Sequence, residues 1–140
     1  MSSSNERLRP PPSERFAGPE HKLDFTASLA KLRQEPGPAK DGHNQVTLFH
    51  SDTLRLVLFT FEPGGCLPRH QAPGVVMIQP LHGDLQVSTA SARYELSEGQ
   101  SLVLQPEIPH DVESRGGAEM LLSVAMAGRR PGAAEPNTDE

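Results

Sequence analysis

Between residues 45 and 126 the chain is a succession of short apolar runs cut by turn residues, and no other feature limits its possible folds as much. Residues 45–50 and 54–62 are split by Ser51-Asp52, and Pro63-Gly64-Gly65 closes the second run. Residues 75–81 and 85–89 flank Gly83-Asp84, a pair that reads as the tight turn of a hairpin. Residues 93–96, 101–104, 111–113 and 120–126 complete the set, with Ser97-Glu98-Gly99 and Arg115-Gly116-Gly117 as breaks. Each run has a strand's length, and none in this region carries helical periodicity. The expectation is an all-β domain, a barrel or sandwich that hides its edges.

One helix is predicted ahead of it, over residues 24–34. Phe25, Leu29 and Leu32 stand at i, i+4 and i+7, Asp24 can serve as N-cap, and Lys31 and Arg33 lie near the C-terminal end. So narrow an apolar stripe is unstable alone and must pack on something larger. Val75-Val76-Met77-Ile78 offers a counterpart, because it is apolar on both faces of its strand. The helix would cover the outer face, or a second copy of the chain in a homodimer would.

The ends differ in composition. Residues 1–20 carry Ser2-Ser3-Ser4 and Pro10-Pro11-Pro12, and residues 127–140 are rich in Gly, Pro and acids. Such stretches bury too little apolar surface to offset the entropy of ordering them, so both are expected to be disordered tails around a domain at 21–126. A formal charge of -5 with scattered Lys and Arg argues against nucleic acid as a partner, as does the absence of Trp with a single Tyr. No apolar run approaches the roughly 20 residues that span a bilayer, which argues against a membrane partner. The lone Cys66 forms no internal disulfide. A cytoplasmic location is the expectation.

The stretch between residues 64 and 110 resembles the cupin superfamily. The family's first motif runs glycine, five residues, His-x-His, three or four residues, Glu, six residues, glycine; Gly64, His70, Ala72, Val76 and Gly83 hold those places here. The second motif, a glycine, five residues, Pro-x-Gly-x-x-His, three residues and Asn, is matched by Gly99, Gln105, Glu107, His110 and Ser114. Spacing is kept while several residue types are not. Leu67-Pro68-Arg69-His70-Gln71-Ala72-Pro73-Gly74 and Pro109-His110-Asp111-Val112 look like small stand-alone bacterial cupins with no assigned activity. The resemblance implies a single jelly-roll β-barrel, with its helix at about 24–34 and its strands over about 45–126.

In metal-binding cupins, residues at the positions of 70, 72, 76 and 110 point into the barrel mouth and hold a divalent metal ion. Here only His70 and His110 have the chemistry for it, since Ala72 cannot coordinate and Val76 presents methyl groups. The competing reading has the two imidazoles as mouth-lining polar groups that hydrogen-bond each other, water or a ligand. With His110 facing inward, a period of two sends Ile108 and Val112 the same way, and the set from His70 includes Ala72, Val76 and Ile78. That wall suits a small, partly apolar molecule with one carboxylate or carbonyl. Asp111 and Glu113 then face outward as a solvated edge, Cys66 reads as a small packed thiol, and His21, His43, His50 and His82 read as surface residues.

Three functions remain open on these residues. The first is a small-molecule-binding or sensing barrel with His70, His110, Val76, Ile78, Ile108 and Val112 at the ligand. The second is a metal-dependent enzyme of oxygenase or isomerase type using His70 and His110. The third is a structural barrel with a vestigial pocket.

Overall fold

The computed structural model describes residues 15–37 and 40–126. Its helix, α1 (Phe25–Arg33), begins where the sequence places it: the Asp24 side chain accepts a hydrogen bond from the Ala27 backbone N–H at 2.9 Å, and Leu29 and Leu32 are its buried residues. Among the described residues nine strands follow: β1 (His43–His50), β2 (Leu54–Phe61), β3 (Gly65–His70), β4 (Val75–Gly83), β5 (Leu85–Thr89), β6 (Arg93–Leu96), β7 (Leu102–Leu104), β8 (His110–Ser114) and β9 (Ala118–Ala125).

These strands form two antiparallel sheets, one ordered β1-β2-β9-β4-β7 and the other β3-β8-β5-β6. Val57, Phe59, Ile78, Met120 and Leu122 from the first meet Leu85, Val87, Leu96 and Val112 from the second in one apolar core. The jelly-roll therefore closes by packing, and no ladder of backbone hydrogen bonds joins the two sheets among the described residues.

Helix α1 lies on the outer face of the larger sheet, where Leu29 packs with Leu58 and Leu121, flanked by Phe25, Val46, Leu48, Leu56 and Leu81. An Arg33–Glu119 ion pair at 3.0 Å ties its C-terminal end to β9. The helix thus covers much of the outer surface, but Val103, opposite Met77 in the β4–β7 ladder, stays 58% exposed. No helix among the described residues is long and apolar enough to cross a membrane.

Three expectations need correction. The pair β4–β5 is not a hairpin. Strand β4 already has β9 on one edge and β7 on the other, so the chain must leave that sheet, and it does so at Gly83 with φ +80°. Strand β3 is hidden in the sequence by Gly65 and Pro68. It lies at the edge of its sheet, and its pairing with β8 breaks between Leu67 and His70, so the missing N–H of Pro68 is not needed there. Residues 15–20, expected to belong to a loose tail, pack on β1. Phe16 lies 5.7 Å from the Phe49 ring, and Arg15 donates to the Thr47 carbonyl at 3.2 Å. One aromatic ring supplies apolar surface that the polar composition of the segment conceals. The remaining residues of the two tails lie outside the described residues.

Candidate functional site

The strand register brings His70 and His110 together. Across the β3–β8 ladder Leu67 pairs with Val112 and His70 with His110, so three steps on β3 match two on β8. Strand residues alternate faces, so with Leu67 packed against the core an unbroken β3 would turn Arg69 inward. The extra residue of the bulge reverses this. It puts His70 on the side of His110 and leaves Arg69 outside, 3.6 Å from Asp111. The two imidazole centroids are 4.3 Å apart with the rings inclined at 57°.

Both rings are held in the same way. The Nδ1 of His70 is 2.9 Å from the Pro68 carbonyl oxygen, and the Nδ1 of His110 is 2.9 Å from that of Ile108. A carbonyl only accepts, so in each ring Nδ1 carries the proton. His110 is 1% exposed, and its Nε2 is buried with no hydrogen-bond partner. Burial pushes its pKa below the ordinary 6.5; the Ile108 carbonyl opposes this and the neighbouring His70 adds to it.

That shift fixes a pH dependence. Because folded His110 resists protonation, the unfolded chain binds more protons once pH drops through 6.5. The contribution of His110 to stability is intact above that pH and is lost below it, until the folded ring itself protonates. Urea unfolding of the native chain is expected to weaken between neutral and mildly acidic pH by up to about 1.4 kcal/mol per pH unit more than that of His110→Leu. Parallel pH profiles for the two proteins would refute it.

Val76, Ile78 and Val112, which the period of two turns inward, are all buried in the apolar core, as is Ala72. Ile108 departs from the expectation. Strand β8 starts at His110, so the period of two does not reach back to Ile108, whose side chain is 39% exposed. Its contribution is the carbonyl that orients His110. The adjoining loop is clasped by Glu107, whose N–H donates to the Ala72 carbonyl at 2.8 Å and whose carboxylate accepts from Gln71 Nε2 at 2.7 Å. Glu107 has φ +66°, which explains why the cupin motif has glycine at this point.

The other candidates fall away from the pair. Cys66 is a poor nucleophile, since burial and the carboxylates of Asp41, Glu113 and Asp111 push its thiol pKa up. His50 and His82 are exposed. His43 is not a surface residue. It is 8% exposed, donates from Nδ1 to the Cys66 carbonyl at 2.9 Å, and packs on Phe59 and Phe61. Its place opposite Phe61 follows from the β1–β2 register, which the local sequence does not encode.

The model for the AraC-like ligand-binding domain family matches residues 63–128. Among solved structures, a conserved protein of unknown function from Streptococcus pyogenes is 28% identical, with 79% of this chain and 92% of that one covered and a TM-score of 0.61. A cupin superfamily protein from Desulfitobacterium hafniense is 19% identical over 78% of this chain and 94% of its own, with a TM-score of 0.63. The chain has the cupin fold. An RmlC-like cupin from Desulfovibrio desulfuricans is similar too, at 25% identity over 66% of this chain and 91% of that one, with a TM-score of 0.56. No curated protein matches this chain.

The family raises the question of a metal, and the donor set does not fit one. Two Nε2 atoms are the right kind of donor, but Ala72 and Val76 replace the others, and no group of three or more His, Cys, Asp or Glu suited to a metal occurs among the described residues. Catalytic transition-metal centres keep about three protein ligands.

Proposed function

We propose that this cupin binds a small, partly apolar molecule at the His70–His110 end of its barrel and holds it without converting it. The carrying observation is the buried, unpartnered Nε2 of His110. A buried polar atom without a partner costs roughly 1–3 kcal/mol, a cost that a bound ligand removes. Val76, Ile78 and Val112 give the ligand's apolar part its surface, and the imidazoles orient it. The match to a ligand-binding family over the same segment supports this reading.

Elemental analysis of untagged protein, paired with a thermal-shift screen of a metabolite library, tests it. Metal well below one ion per chain is expected, together with stabilisation by at least one compound that is lost in His110→Leu. Metal near one ion per chain, removed by the His70→Ala, His110→Ala double variant, would replace this reading with a metal-dependent enzyme.

A further inference from the structure

We infer that the molecule held at His110 is a hydrogen-bond donor, a neutral alcohol or N–H compound, and not a carboxylate. The inference rests on the ligand-binding reading above and names its chemical class. With Nδ1 of His110 committed to the Ile108 carbonyl and burial disfavouring its charged form, the atom this ring offers a ligand is the Nε2 lone pair. A lone pair accepts. A carboxylate or ketone oxygen also only accepts, so it would meet His110 lone pair against lone pair, in a site where burial keeps the ring from protonating to resolve the conflict.

With both rings neutral and both Nδ1 atoms protonated, the pair has two acceptors and no donor between them. A hydroxyl or N–H supplies the missing proton. Of the two rings, His70 is the more exposed, and its Nδ1 bonds the Pro68 carbonyl. Sites built around a particular hydrogen bond reject close analogues that lack it far more strongly than apolar pockets reject a change of size.

The probes are isoamyl alcohol and isovalerate, which share an apolar body and differ in donor against acceptor. Imidazole nitrogen chemical shifts at neutral pH are expected to show Nδ1 protonated and Nε2 unprotonated in His110. The alcohol should move the His70 and His110 ring signals and bind on the order of tenfold or more tightly than the acid. A His110 ring protonated at Nε2 overturns the inference. So does isovalerate binding at the rings as tightly as the alcohol, a result that leaves the ligand-binding reading standing. If neither probe moves the ring signals, or if His110→Leu binds the alcohol unchanged, both fall. Should that variant fail to fold, the tautomer and the alcohol-to-acid ratio in the native protein decide the matter.

Discussion

Gly83→Val is expected to leave most of the chain unfolded under conditions in which the native protein is fully folded. At φ +80° a β-branched residue already carries roughly 1–2 kcal/mol of backbone cost. Its Cβ would also stand 2.5 Å from the Gly117 carbonyl oxygen and 3.1 Å from the Ala118 Cα, both backbone atoms that cannot turn away. The sum should exceed about 3 kcal/mol, a large part of the 5–15 kcal/mol that holds a typical domain together. Gly99→Ala is the control. Gly99 has a similar φ of +88°, yet a Cβ there meets nothing within 4 Å, so only the backbone cost of about 1 kcal/mol should appear in urea unfolding. Equal losses in the two variants would mean that the crossing between sheets at Gly83 is not as tightly packed as described.

Gly83 also marks where local reading stops being sufficient. Gly-Asp between two apolar runs is a sound turn signal, and a turn is there. Whether the next strand folds back on the last one depends on whether that strand has a free edge, and the partners that fill both edges of β4 are β7 and β9, distant in sequence. Periodicity served better where the answer was local. Helix α1, its Asp24 cap and its Leu29–Leu32 stripe were legible, as were the strands other than β3.

The site shows the same division. His70 and His110 could be paired only through the spacing of the cupin motifs, because the alternation that turns Leu67 inward would, without a bulge, turn His70 out. Motif spacing carries the bulge implicitly; period counting does not. Ile108 illustrates the converse, a residue to which the strand period was extended although the strand had not yet begun. The tautomer of the two rings depends on carbonyls two residues upstream in a folded backbone, and no pattern of residue types reports that.

Those carbonyls make the second large effect a double one, in which His110→Leu abolishes ligand binding and leaves the free protein as stable as before or more so. Leucine removes the buried Nε2 that lacks a partner, relieving roughly 1–3 kcal/mol, and puts an aliphatic side chain at a buried position. Against this stands the loss of one hydrogen bond to the Ile108 carbonyl, about 1 kcal/mol net. The balance is a gain of up to about 1–2 kcal/mol, which thermal unfolding of a domain this size would register as a rise of several degrees. A residue kept for packing behaves in the opposite way: truncating buried Ile78 to alanine should cost about 2–5 kcal/mol. Stability gained as binding is lost is what a polar group held unsatisfied for a ligand produces. If His110→Leu instead lost more than about 2 kcal/mol in the absence of ligand, the imidazole would be a structural member of the core and the site would have to lie elsewhere.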